Sequence, residues 1–184
     1  MSIRLPAIPG DDFAATPRNR YRLAARREPY PPKPDWFLNS LGEWVVYWYL
    51  SQGREQVGNG ANFRRVSEGQ PPIQANSFFY QIRLEALGLF ALTATTRIDF
   101  YLPGLGGPGY RGLVLDPYNE AVHGGFGVGN EGLALDLAKR QVLAEQAQAR
   151  LIWLHSSRLD AGDFETIEQA LAGHDLSPRG MLGI

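Results

Sequence analysis

The first strong hydrophobic segment runs Leu41, Trp44, Val45, Tyr47, Trp48 and Leu50. It is apolar nearly all round, the mark of a deeply packed helix. Asn39 and Ser40 precede it, and Glu43 stands three residues after Ser40. That is a capping-box pattern, so a helix is expected over 41–52. The stretch 53–75 is rich in glycine, glutamine and proline and reads mostly as loop, with Arg64 and Arg65 adding positive charge. Aromatic and β-branched residues then dominate 77–84 and 89–102, which predicts two strands with Gly88 placed to turn between them. A glycine loop over 104–112 leads to Leu113-Val114-Leu115, a short strand apolar on both faces, as buried central strands are. Pro117 cannot donate to a ladder and is expected to end that strand.

Beyond it, 130–149 has helical spacing. Leu133, Leu137, Val142 and Ala144 mark a packed side, and Asp136, Lys139, Arg140 and Glu145 a polar side. Residues 150–155 read as a buried strand. A last helix is expected over 160–172, capped around Asp163 and stopped at Gly173. The glycines from Gly124 to Gly129 have a loose GxGxxG flavour. They follow a turn, and no acid follows a second βαβ strand, so they are not a dinucleotide fingerprint.

Residues 1–37 carry no periodicity. Prolines crowd this segment, and with them Arg18, Arg20, Arg22, Arg26, Arg27 and Lys33, interleaved with Tyr21 and Tyr30. Proline keeps such a chain extended. An arm lying on nucleic-acid phosphates or on a neighbouring protein subunit is expected, against the plainer reading of a solvated tail. The organisation is then an arm over 1–37, an α/β domain over 38–175 and a short tail over 176–184.

Composition narrows the choices. At 184 residues the chain can hold one domain with a core and an appendage. Its net charge of −1 means that any nucleic-acid contact must come from a local patch. It has no cysteine, which excludes disulfides, thiolate zinc sites and a cysteine nucleophile. No apolar run approaches the roughly 20 residues that span a bilayer. The expected location is cytoplasmic, or packaged in a virion-like assembly, with no membrane partner.

The candidate chemistry lies in two strands that each carry an acid: Ile98-Asp99-Phe100-Tyr101-Leu102-Pro103 and Leu115-Asp116-Pro117-Tyr118. Glu43 precedes them; His123, Asp136-Leu137-Ala138-Lys139-Arg140, Leu151-Ile152-Trp153-Leu154 and Ala170-Leu171 follow. This ordered set resembles the αβββαβ core of the PD-(D/E)XK nuclease superfamily, in particular its small single-domain members of the very-short-patch-repair type. The resemblance covers 38–173. It implies a restriction-endonuclease-like α/β fold with a C-terminal helix and an extended N-terminal arm. It also implies that Asp99 and Asp116 hold Mg2+, with Glu43 behind them, and that DNA is the substrate. Hard cations take oxygen ligands and activate bound water.

The chain departs from the family two residues after the second acid. A lysine is expected there, and Tyr118 stands in its place behind Pro117. Tyrosine, with a pKa near 10, is a poor base at neutral pH. Lys139 could supply the missing cation from its helix, or be an ordinary surface lysine paired with Asp136. His123 could act as base, or be a loop histidine. Glu43 could serve the site, or only the helix cap. The sequence therefore favours a nuclease-fold protein with an incomplete hydrolytic site, a DNA-associated or structural subunit of a larger assembly. The alternatives are an active Mg2+-dependent endonuclease using Glu43, Asp99, Asp116 and Lys139, and an adaptor that touches only protein.

Overall fold

A computed structural model of the chain describes residues 29–57, 76–84, 89, 97–118 and 131–176. Their order is α1 (Leu41–Ser51), β1 (Glu55–Gln56), β2 (Ser77–Arg83), β3 (Arg97–Pro103), β4 (Gly112–Tyr118), α2 (Glu131–Gln146), β5 (Ala149–His155), α3 (Ser156–Asp160) and α4 (Phe164–Leu171). The strands form one mixed five-stranded sheet in the order β1-β2-β3-β4-β5. The outer pairs, β1 with β2 and β4 with β5, are parallel; the inner pairs are antiparallel. No helix among the described residues is long and apolar enough to cross a membrane.

The alternation of side chains gives the sheet two buried faces. On one face Phe78, Phe100, Leu102, Leu113, Leu115, Ile152 and Leu154 pack with Trp44, Val45 and Leu50 of α1, Leu159 of α3 and Ile167 of α4. On the other, Phe79, Tyr101, Val114, Leu151 and Trp153 pack with Leu143 of α2. Gly112 is needed at the start of β4: a Cβ there would lie 2.4 Å from the ring of Tyr101. The start of α1 is also closely packed, though less tightly, with a Cβ on Gly42 falling 3.2 Å from Ser156 Oγ and 3.4 Å from Pro117. This near approach brings the first turn of α1, and Glu43 with it, to the end of β4.

Residues 29–37 lie against the domain. Tyr30 and Phe37 are buried in the α1 core. The Tyr30 hydroxyl donates to the Asp160 carbonyl at 2.7 Å, and Trp44 Nε1 donates to the Pro31 carbonyl at 2.8 Å. Such bonds satisfy the polar ends of buried aromatics.

Two expectations need correction. β4 does not stop before Pro117 but continues to Tyr118, paired in parallel with β5 throughout. Past Leu115 no residue of β3 pairs with β4, so a proline nitrogen facing that side breaks no ladder. The stretch read mostly as loop holds a short edge strand, Glu55–Gln56, and its residues 58–75 lie outside the described ones. The last helical region is two helices: α3 runs straight on from β5, and α4 starts at its Asp163 cap. The α1 capping box forms as its pattern predicts, with both Ser40 and Glu43 engaged.

Candidate functional site

Antiparallel register decides where the acids fall. The β3–β4 ladder ends at Phe100–Leu115. One step further on, Asp99 and Asp116 stand opposite each other where the two strands part. In the β2–β3 register Gln81 stands opposite Asp99, between the pairs Tyr80–Phe100 and Ile82–Ile98. Three polar side chains thus form a row across three strands.

The backbone is distorted along this row. Phe79 and Ile82 share a face although they are three residues apart, and so do Ile98 and Tyr101. Strict alternation would put each pair on opposite faces, so both strands slip by one at Gln81 and Asp99. Gln81 takes φ +55° to do it, a left-handed conformation that costs a non-glycine residue on the order of 1–3 kcal/mol.

The acids open into a cavity of about 530 Å³ lined by Glu43, Arg97, Asp99, Asp116, Lys139 and Ser156, among others. Lys139 Nζ lies 2.5 Å from Asp116 Oδ2, and both residues are buried. This corrects the reading of Lys139 and Asp136 as a polar helix surface. Asp136, Lys139 and Leu143 fall at i, i+3 and i+7 on the side of α2 that meets the sheet. Arg140 does lie nearer the surface, bonded to Asp175 at 2.5 Å with its guanidinium 5.4 Å over the Trp153 ring. Glu145 is exposed, as expected.

Glu43 combines both of the roles open to it. Its Oε1 closes the capping box with Ser40, and its Oε2 accepts from the Tyr80 hydroxyl at 3.0 Å and Gln81 Nε2 at 2.8 Å. The same Gln81 nitrogen donates to Asp99 Oδ1 at 2.8 Å. Asn39 donates to the Tyr80 hydroxyl in turn. A continuous chain therefore links Glu43, Gln81 and Asp99, and Asp99 shares a hydrogen bond with Asp116.

Burial, and then the charge and hydrogen bond of Asp116, push the Asp99 carboxyl well above the usual range. Glu43 adds to this rise and Lys139 opposes it. Burial alone would lower the pKa of Lys139. The charges of Asp116 and Asp99, the bond to Asp116 and the nearby Asp136 outweigh it and raise the pKa. Lys139 therefore keeps its proton, and the acid pair holds one more tightly than an exposed carboxylate does. Carboxylate oxygens are the donors that a hard cation takes. Asp99 and Asp116 are the two carboxylates that adjoin in the cavity. Among the described residues, no three or more His, Cys, Asp or Glu side chains are gathered so as to hold a metal.

Tyr118, at the position where a lysine is expected, is not in the cavity. It is buried in the α2-side core, edge-on to His155 at 6.2 Å between ring centres. His123 and the arm residues Arg18, Arg20, Arg22, Arg26 and Arg27 lie outside the described residues. Gln81 and Arg97 were missed in the sequence. A glutamine amid apolar strand residues, in hairpin register with an acid, is the signal that would have found Gln81. A second cavity of about 610 Å³, between α1 and α4, is lined by Trp48, Arg54, Phe164 and Glu168 and holds no acid pair. No protein-family model matches the chain, and no curated protein or solved structure matches it.

Proposed function

We propose that the protein is a divalent-cation-dependent phosphodiesterase acting on nucleic acid, with DNA the substrate that the resemblance implies and a restriction-endonuclease-like core as its frame. One observation carries this reading: a buried lysine is paired with one of two adjoining acids inside an open cavity at the fork of two strands. Lys139 on α2 stands in for the lysine that the sequence lacks after Asp116. The site then has both its acids and its cation, which favours hydrolysis over an incomplete site.

Asp99 and Asp116 would hold one Mg2+. A divalent ion bound there would polarise a phosphoryl oxygen and lower the pKa of a bound water. The remaining work falls to this chain's own side chains. Lys139, kept protonated, offsets the negative charge that grows on the phosphoryl oxygens as the water attacks. Arg97, exposed at the cavity rim, binds an adjoining phosphate. Glu43 and Gln81 fix the position of Asp99.

The test is incubation of supercoiled plasmid with purified protein and Mg2+ or Mn2+, beside Asp99→Ala and Asp116→Ala. The wild type should nick or cut the plasmid, and both variants should lose that activity. A wild type that binds DNA but does not cut with either ion would overturn this reading. It would favour a DNA-associated or structural subunit working through its arm.

A further inference from the structure

We propose that an aromatic cavity beside the acid site stacks an unpaired base, so that the preferred substrate is nucleic acid that is single-stranded or locally opened next to the phosphate to be cut. The inference rests on the reading of the acid site as a phosphodiesterase and adds to it the class of nucleic acid.

Trp36 and Leu38 are 51% and 88% exposed, the two most exposed large hydrophobic residues among those described. Large apolar side chains left in solvent side by side mark an interaction surface. They line a cavity of about 310 Å³ together with Phe37, Asn39, Tyr47, Gln56 and Tyr80. Its walls are rings rather than aliphatic chains. Trp36 is held edge-on by Phe37, Trp44 and Tyr47, with ring centres 5.8, 5.9 and 6.3 Å away. The indole is thus fixed on one side and presented to solvent on the other. Every base has a flat face to lay on such a platform.

The polar groups of the cavity favour a base over an apolar protein surface. The Tyr47 hydroxyl donates to Gln56 Oε1 at 2.6 Å, and Asn39 Nδ2 donates to the Tyr80 hydroxyl. The Gln56 amide nitrogen and the Asn39 amide oxygen bond to no other described residue. They offer a donor and an acceptor, and a base carries both along its edge. Lys33 donates from Nζ to the Phe37 carbonyl at 2.6 Å, which brings a positive charge to the same corner for a backbone phosphate.

The cavity adjoins the acid site directly. Residues 36–39 line the first, and the next four residues, Ser40 to Glu43, line the second. The Tyr80 hydroxyl crosses the wall between them and donates to Glu43 Oε2 at 3.0 Å. A strand whose phosphate lies at Asp99, Asp116 and Lys139 therefore places a neighbouring base at this wall. Within a duplex that base is paired and stacked on its own neighbours, and it reaches Trp36 only after leaving them.

The experiment is binding in EDTA, followed by tryptophan fluorescence. The full-length protein is titrated with a single-stranded oligothymidylate, with a hairpin duplex carrying the same number of phosphates, and with an abasic oligomer of the same length. The chain has four tryptophans, and Trp44, Trp48 and Trp153 are at most 4% exposed, so quenching by a base reports Trp36. The oligothymidylate should bind most tightly and quench the emission; the duplex and the abasic oligomer should bind more weakly and quench little. Trp36→Ala should weaken oligothymidylate binding by about 5- to 150-fold, the range for losing one base stack. Trp36→Phe, which keeps a ring, should weaken it much less. Equal binding of the three probes by the wild type, unchanged binding by Trp36→Ala, or no binding of any probe would overturn the inference. A preference for unpaired bases in a protein that never cuts plasmid with Mg2+ or Mn2+ would leave the platform standing and remove the hydrolysis; cutting without that preference would do the reverse. The abasic comparison uses the wild type alone and decides the matter even if Trp36→Ala fails to fold.

Discussion

Lys139 is the residue on which the site turns, and its burial makes it a strong test. It and Asp116 are both nearly inaccessible to solvent, so removing one breaks a buried ion pair and leaves the other's charge poorly compensated. That costs about 3–5 kcal/mol. Lys139→Ala should lower the unfolding free energy by about this amount in a denaturant titration, whereas Lys139→Ala made together with Asp116→Ala should cost much less than the sum of the two. Asp99 predicts a pH effect. Its carboxyl titrates well above the ordinary value when folded, chiefly through burial and then through Asp116. Above about pH 4, where an unfolded aspartate releases its proton, the folded chain still holds one. Stability therefore falls as pH rises through this window, until the folded carboxyl also ionises. The groups that face it are Glu43 from α1, Gln81 from β2, Asp116 from β4 and Lys139 from α2. Asp99→Asn removes the titration, and its melting temperature should be higher than that of the wild type at neutral pH and vary less from pH 4 upward. A wild type whose stability rises with pH over that range would contradict the assigned shift.

Among the elements, the strands were readable in sequence because aromatic and β-branched residues crowd them. Their ends were less so. Pro117 argued for an early stop to β4, yet a proline is tolerated on a strand whose neighbour has already separated. The same separation creates the site, and nothing in composition announces it. Helix α2 misled in the opposite way. Its charged residues fall at helical spacing and suggest a solvated face, but Asp136 and Lys139 are buried, and Lys139 pairs with the acid on β4. Pattern reading assigns charge to solvent; a partner across the core can reverse that, and the partner is remote in sequence. The capping box of α1 was legible because all its atoms lie within four residues. At the other end of the sheet, Gly112→Ala should be strongly destabilising, since the added Cβ would meet the Tyr101 ring at 2.4 Å. Overpacking of this kind costs about 1–3 kcal/mol, and the thermal midpoint should fall. An unchanged midpoint would mean that Tyr101 can move aside freely.

For the whole molecule, the sheet separates two apolar layers, and the site lies at the edge where elements from both layers meet. Glu43 arrives from the α1 layer and Lys139 from the α2 layer, with the acids of β3 and β4 between them. Stability and ion binding should therefore be linked. A cation that binds only the folded chain raises its stability, by about 2.7 kcal/mol at a hundred times the dissociation constant. Mg2+ or Mn2+ should thus raise the thermal midpoint of the wild type near neutral pH and leave that of Asp116→Ala unmoved. The most direct measurement is the rate at which supercoiled plasmid is cut in saturating Mg2+ by the wild type and by a folded Lys139→Ala variant. The account predicts that the variant is slower by about 100- to 1000-fold, as when one preorganised donor is lost from an active site. A variant that cuts as fast as the wild type would show that the buried lysine takes no part in the chemistry, and the proposed site would fall with it.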